Sequence, residues 1–290
     1  MINSVHAKKK AAATHDEASR KLSALQEYLK NLGTLVIAFS GGVDSTFLVK
    51  VAHDVLGERC IAVTACSETY SSRERKEAVV LAQQFGFPHR VIDTSELAIP
   101  SFTENPPDRC YHCKTELFKT LRDIAKAEGF EHVADGSTAD DISDFRPGRR
   151  AAAEQHVCSP LLEVGLGKEE IRLLSSDMGL PTWNKPSFAC LASRIPYNDP
   201  ITQEKLRQVD LAEEHLLGLG IHQCRVRHHG PVARIEVSAD DFSRITSELR
   251  QGIISRFRSI GFSYVTLDLS GYRSGSMNEV LNDNEMAKQP

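Results

Sequence analysis

Leu35-Val36-Ile37-Ala38-Phe39-Ser40-Gly41-Gly42-Val43-Asp44-Ser45 decides the fold of this chain. Leu35 to Phe39 is an apolar run bounded by turn residues, which reads as a buried strand. The run stops at Ser40, Gly41 and Gly42, and a helical pattern follows from Ser45 to about Leu56. A strand that ends in glycines and turns into a helix makes an anion site. Glycine permits a tight turn and close backbone approach. The first N–H groups of the helix have no internal partner and lie at its positive end. Asp44, Ser45 and Thr46 add polar side chains where the helix begins. The stretch reads as a phosphate cradle, against the plainer reading of an ordinary strand–turn–helix joint.

Working outward, His15 to Asn31 places Ala18, Leu22, Leu25, Tyr28 and Leu29 at helical spacing ahead of the first strand. Cys60–Cys66 and His89–Asp93 read as the second and third strands, and His132–Asp135 as a fourth. Helical patterns over Ser71–Phe85 and Arg109–Glu128 separate them. This alternation predicts an α/β fold with a doubly wound parallel sheet. Ligands in such sheets sit beyond the carboxyl ends of the strands. The Ser40 loop, Ser67–Tyr70 and the Gly136–Asp141 segment should therefore share one mouth. Another helix is expected over Gly167–Met178.

An irregular, proline-marked loop runs from Pro181 to Pro200 and carries Trp183, Lys185, Cys190 and Arg194. Beyond it the texture changes. Helix Ile201–Leu219, strands Cys224–His228 and Ala233–Val237, helix Asp240–Ser259 and strand Ser263–Leu269 describe a smaller α+β domain. The expected organisation is a disordered leader (1–14), the nucleotide-binding domain (15–190), the smaller domain (191–277) and a tail (278–290).

The 290-residue chain has a formal charge of −4, which gives no overall electrostatic support to nucleic-acid binding. No apolar run approaches the ~20 residues of a membrane span. Met1–His15 lacks the apolar region of a secretory signal, so a cytoplasmic protein is expected. Its seven cysteines should then be thiols, ligands or catalysts rather than disulfides.

Cys110-Tyr111-His112-Cys113 places two thiols within reach of one metal or of each other. A redox pair, a zinc site and an iron–sulfur cluster all remain open from that spacing. A redox pair usually opens a helix in a thioredoxin-like unit, which this pattern lacks. Cys190 supplies a third thiol, with Arg194 and Lys185 nearby in sequence as cations that would lower its pKa. Cys60, Cys66, Cys158 and Cys224 lie in or beside strand patterns and read as core residues. Arg225 and Arg227 alternate on one strand face, which offers a clamp for phosphate or carboxylate, against the alternative of surface charges paired with Glu236. Arg273 is a weaker anion contact.

No lysine follows the glycines, so the loop is not the mononucleotide P-loop, and it lacks the dinucleotide Gly-x-Gly-x-x-Gly spacing. Ser-Gly-Gly-Val-Asp-Ser resembles instead the signature of the PP-loop ATP pyrophosphatases. With Asp108–Lys114, Arg146-Pro147-Gly148, Cys190–Tyr197, Arg225-Val226-Arg227, Arg234-Ile235-Glu236 and the ending from Leu267 to Asn278, the chain resembles the LarE family of ATP-dependent sulfur transferases.

The resemblance implies that ATP, with Mg²⁺ held by Asp44, adenylates the carboxylates of pyridinium-3,5-biscarboxylic acid mononucleotide. Sulfur then converts them to thiocarboxylates for a nickel-pincer cofactor. It implies ATP contacts from Ala38, Phe39, Ser40, Gly41, Gly42, Val43, Asp44, Ser45 and Gly136. Arg225, Arg227 and Arg273 would meet the substrate phosphate, and Glu213 would lie near the reacting sulfur. Members divide by sulfur source. One type sacrifices the sulfur of the cysteine matching Cys190; the other holds a [4Fe-4S] cluster on three cysteines. Cys110, Cys113 and Cys190 resemble the cluster type. A homohexamer and a sulfide donor are implied as partners, and no nucleic acid or membrane. A tRNA thiolase of the same superfamily is the alternative.

Overall fold

In a computed structural model the protein is described over residues 2–142, 146–186, 189–273 and 275–281, with the side chains of residues 2–14 left aside. The end of the expected tail, residues 282–290, lies outside the described residues. In chain order the helices and strands are α1 (Ile2–Leu32), β1 (Leu35–Ala38), α2 (Val43–Leu56), β2 (Cys60–Cys66), α3 (Ser72–Phe85), β3 (His89–Asp93), the short α4 (Pro100–Thr103), α5 (Arg109–Glu128) and β4 (His132–Ala134). Short helices α6 (Gly148–Glu154) and α7 (Pro160–Glu163) and the longer α8 (Lys168–Asp177) follow. The remainder is α9 (Gln203–Gly218), β5 (Cys224–His229), β6 (Val232–Val237), α10 (Phe242–Thr246), α11 (Arg250–Ile260) and β7 (Tyr264–Leu267). None of the described helices is long and apolar enough to cross a membrane.

The chain forms two compact units. The first comprises Met1–Cys66, Glu74–Thr94 and Lys114–Phe188; the second comprises Ser67–Arg73, Ser95–Cys113 and Ala189–Pro290. The second unit thus takes two segments from within the first domain expected from sequence. Ser67–Tyr70, expected at the nucleotide mouth, is one of them. Contiguity along the chain hides such an exchange.

The first unit holds a parallel sheet in the order β3-β2-β1-β4. Strand β1 pairs on both sides, with Leu35 opposite Cys60 and His132. It therefore needs apolar residues on both faces, and Leu35, Val36 and Ile37 are fully buried. The sheet extends past β4 through a parallel bridge between Ala134 and Cys158. Ala18, Leu25 and Leu29 of α1, Phe47, Leu48 and Val51 of α2, and Ile171 and Leu174 of α8 pack into the same core. Helix α1 starts at Ile2, inside the segment expected as a disordered leader. Its lysines and alanines are strong helix formers, and no Gly or Pro interrupts them.

The second unit contains a three-stranded sheet in the order β5-β6-β7. Strands β5 and β6 form an antiparallel hairpin closed at His229 and Val232; β7 runs parallel to β6. Val226, Ile235 and Val237 of the sheet pack with Ala212 and Leu216 of α9 and Phe257 of α11. The helix expected over Asp240–Ser259 is two helices. Thr246 Oγ1 bonds back to the Phe242 carbonyl at 2.9 Å, and Ser247 leaves helical geometry at φ −114°, ψ −96°. Hydroxyl side chains that bond their own backbone compete with the helix ladder. Leu191, Ile195, Phe102, Ile201, Leu206 and Val209 form a separate apolar cluster, against which Cys113 and Cys190 pack.

Candidate functional site: a glycine cradle and a thiol loop

The strand order reverses at β1. The chain moves from β1 to β2 and β3 on one side, then returns to β4 on the other. The crevice at such a switch point is where open α/β sheets bind ligands. Here it is bounded by Ser40–Gly42 after β1 and by Asp135–Asp141 after β4.

Gly41 has φ +66°, and a Cβ there would lie 3.0 Å from the Ala78 Cβ and 3.1 Å from its Cα. Only glycine fits this turn without displacing α3. Gly42 precedes α2 with extended geometry, and no side chain caps the helix. The Ser40 and Ser45 hydroxyls meet at 3.0 Å, and the Ser40 N–H donates to Ser45 Oγ at 3.3 Å. Gly136 lies against the same helix start: a Cβ would stand 3.2 Å from the Ser45 nitrogen. The loop after β4 and the first turn of α2 therefore approach closely enough to share one small ligand.

Carboxylates and cations meet around this turn. Burial first, then the nearby Asp141 carboxylate, push the Asp44 carboxyl up to about 6, against the pull of Lys168, Arg172 and Arg146. Asp141 is buried; it accepts the Thr138 N–H at 2.9 Å and pairs with Arg146 at 3.0 Å and Lys168 at 3.3 Å. Thr46 Oγ1 and Thr138 Oγ1 are buried without hydrogen-bond partners among the described residues.

Lys185 supplies a contact that sequence reading assigns elsewhere. Its Nζ donates to the Gly41 carbonyl at 3.0 Å and pairs with Glu77 at 2.8 Å. Arg172 holds the segment that carries it, through the Trp183 and Lys185 carbonyls at 2.8 Å each. The glycine loop lacks its own lysine, and one arrives from beyond α8. No sequence signal links positions 41 and 185.

In the second unit, Cys110 and Cys113 lie one helical turn apart at the start of α5, and Cys190 precedes the short 3₁₀ turn Leu191–Arg194. All three are partly exposed and in no disulfide. Tyr197 is near two of them. Burial pushes its phenol up, Arg109 pulls it down, and the charges of Cys110 and Cys190 raise it. Among the described residues, no group of three or more His, Cys, Asp or Glu side chains is assembled to hold a metal ion. Cys60 and Cys224 are buried, and burial pushes both thiols up to about 12. They stay protonated, as core residues should.

Arg194 is anchored by a carboxylate and by carbonyls of the loop that carries Cys190. Its Nε and Nη2 donate to the two oxygens of Glu213 at 2.9 and 2.8 Å. Its Nη1 donates to the Ala189 carbonyl at 2.6 Å, the Cys190 carbonyl at 3.1 Å and Ser193 Oγ at 2.8 Å. Glu213 also accepts the Val226 N–H at 2.9 Å. Burial raises the Glu213 carboxyl, but Arg194, Arg225 and the Val226 N–H outweigh it and hold the pKa below the usual value. Glu213 and Arg194 thus tie the cysteine loop to α9 and β5.

Arg225 and Arg227 are both buried, not surface charges. Arg227 makes a two-pronged pair with Glu236 at 3.0 and 2.7 Å and reaches the Ser193 carbonyl and Ser276 Oγ at 2.8 Å. Arg225 donates to the Cys224 carbonyl at 2.7 Å and stacks over Tyr272 at 5.2 Å. Burial and Arg194 lower its pKa. Arg273 is partly exposed and pairs with Glu279 at 3.0 Å.

A family model described as NAD synthase matches residues 18–119. An uncharacterised protein of Synechocystis is 45% identical over 262 residues, covering 90% of this chain and 98% of that one. A tRNA-specific 2-thiouridylase of Rickettsia felis is 27% identical over 198 residues, 54% of either chain. A pyridinium-3,5-bisthiocarboxylic acid mononucleotide synthase of Lactiplantibacillus plantarum is 37% identical over 271 residues, covering 92% of this chain and 97% of the relative. With the PP-loop cradle on a parallel sheet and a likeness to that synthase running nearly end to end, the chain belongs to the LarE family of the PP-loop superfamily.

Proposed function

We propose that this protein uses ATP to activate the carboxylates of pyridinium-3,5-biscarboxylic acid mononucleotide and replaces an oxygen of each with sulfur. The observation that carries the reading is the pairing, in one chain, of an uncapped glycine cradle with three partly exposed cysteines outside any disulfide. The cradle suits phosphate. Backbone N–H groups at the start of α2 receive phosphate oxygens, and Asp44 offers a carboxylate to Mg²⁺ beside them. A substrate carboxylate oxygen attacks the α-phosphorus of ATP; pyrophosphate leaves and an acyl adenylate forms. A sulfur nucleophile then attacks the acyl carbon, the C–O bond to AMP breaks, and a thiocarboxylate remains. Arg225 and Arg227 serve the substrate phosphate, Arg227 by releasing part of its hold on Glu236, Ser193 or Ser276.

Cys110, Cys113 and Cys190 have the thiolate donor chemistry that iron–sulfur clusters use, and they lie together in one unit. They would hold a [4Fe-4S] cluster, and such a cluster would supply sulfide-level sulfur for the transfer. Glu213 and Arg194 act on this site by fixing the loop that carries Cys190.

The test is anaerobic turnover with ATP, Mg²⁺, the dicarboxylate mononucleotide and sulfide. Pyrophosphate release is expected only with ATP, Mg²⁺ and the mononucleotide together, and the thiocarboxylate product only when a sulfur source is present as well. Release with no dependence on the mononucleotide refutes the assignment. The two sulfur sources separate by mass: conversion of Cys190 to dehydroalanine in step with product marks sacrifice, and an unchanged chain with catalytic turnover marks the cluster route.

A further inference from the structure

Arg109 opens α5 beside Cys110 and is only 3% exposed. Its Nη2 donates to a thioether, Met277 Sδ, at 3.5 Å, and its guanidinium lies 4.7 Å from the centre of the Tyr197 ring. Its Nε and Nη1 are buried with no hydrogen-bond partner among the described residues. Two other buried arginines of this unit are held by carboxylates. Arg194 has Glu213, and Arg227 has Glu236. Burying a guanidinium without an anion is costly, and folded chains keep such a group where something fills it.

The neighbourhood specifies what that is. Tyr197 shares a side-chain hydrogen bond with Arg109 and feels its charge together with those of Cys110 and Cys190, so the guanidinium shares a locality with two of the three thiols. The contacts of the guanidinium itself are soft, the Met277 thioether and the Tyr197 ring. A large, polarisable, singly charged anion loses less on leaving water than phosphate or acetate does. We propose that Arg109 is the binding residue for the anionic sulfur on its way to the substrate, its Nε–H and Nη1–H holding hydrosulfide beside Cys110 and Cys190. The purpose rests on the sulfur-transfer reading above; the binding itself needs neither ATP nor mononucleotide. No bond forms or breaks in this step, and the sulfur keeps its charge and its proton.

The probe is sodium hydrosulfide, titrated anaerobically by calorimetry into the full-length chain with Cys110, Cys113 and Cys190 all changed to Ser. That background prevents metal binding and disulfide chemistry. Saturable binding is expected, weakened at least tenfold by Arg109→Gln and less by Arg109→Lys. Sodium phosphate and sodium acetate should bind more weakly than hydrosulfide. Equal hydrosulfide binding in Arg109→Gln, no binding in the parent, or tighter binding of phosphate or acetate overturns the proposal. The thermal midpoint gives an independent check. Removing an unpaired buried charge should leave it unchanged or raise it, so a marked fall in Arg109→Gln would show a structural residue and also overturn the assignment. Failure of pyrophosphate release in the wild type would sink the sulfur-transfer reading alone and leave the binding result standing.

Discussion

Replacing Asp44 by asparagine should stabilise the free protein while removing its cation site. The Asp44 carboxyl is held at about 6 instead of 3.8, first by burial and then by Asp141. An acid whose pKa is raised on folding binds its proton more tightly in the folded state. Folding is therefore opposed once the pH passes the folded value, and the opposition disappears below the unfolded value. The shift of about 2 units corresponds to about 3 kcal/mol at pH 8. Asparagine keeps the shape and loses the charge. The Asp44→Asn chain should thus gain up to about 3 kcal/mol at pH 8, an advantage that shrinks through pH 6 and vanishes near pH 4. In the first unit this amounts to roughly 2–4 °C of melting temperature per kcal/mol. Thermal melts of both proteins without nucleotide, at pH 8, 6 and 4.5, give the comparison directly. Nucleotide-dependent stabilisation by Mg²⁺–ATP should be present in the wild type and lost in the variant. A variant that melts lower at pH 8, or a difference between the proteins that does not change with pH, refutes the reasoning, because Asp44 would then be a net stabilising residue.

Other perturbations have equally defined outcomes. Gly41→Ala forces φ +66° on an L-residue and sets a Cβ 3.0 Å from Ala78; a loss of about 1–2 kcal/mol and weakened ATP binding should appear in denaturant and nucleotide titrations. Glu213→Ala strands the fully buried Arg194, so denaturation should show a loss of about 3–5 kcal/mol. The low pKa of Glu213 makes its contribution complete above the ordinary glutamate range and lost as the pH falls through the folded value; an acid titration of wild type against Glu213→Gln should show the difference narrowing at low pH. Near pH 6 the binding of Mg²⁺ with ATP should release a fraction of a proton from Asp44, visible as buffer-dependent calorimetric heat that declines by pH 8.

The sheet was legible because local patterns suffice for it. Strands Cys60–Cys66 and His89–Asp93 and helix Arg109–Glu128 fall where hydrophobic period and glycine stops place them. The cradle was legible for the same reason: strand, glycines and helix are consecutive. What sequence did not show depends on contacts between distant positions. Lys185 reaches Gly41 across more than a hundred residues, and only the fold makes them neighbours. Lys185 and Arg194 read as cations for Cys190, and the carboxylate and carbonyl partners of each come from positions that spacing does not reveal. Arg225 and Arg227 alternate as an exposed strand would, yet the face they occupy is buried, because Glu236 and Glu213 supply the charges that make burial tolerable. The short helices α4, α6 and α7 carry too few residues for any period to register.

The central claim is that the cradle makes an acyl adenylate, and oxygen tracing tests it most directly. The dicarboxylate mononucleotide is prepared with ¹⁸O in its carboxylates and turned over with unlabelled ATP and a sulfide source. Attack on the α-phosphorus, followed by displacement of AMP by sulfur, predicts ¹⁸O in the phosphate of AMP in proportion to the thiocarboxylate formed. Label in orthophosphate with ADP as the nucleotide product, or thiocarboxylate formed with AMP free of label, would contradict it.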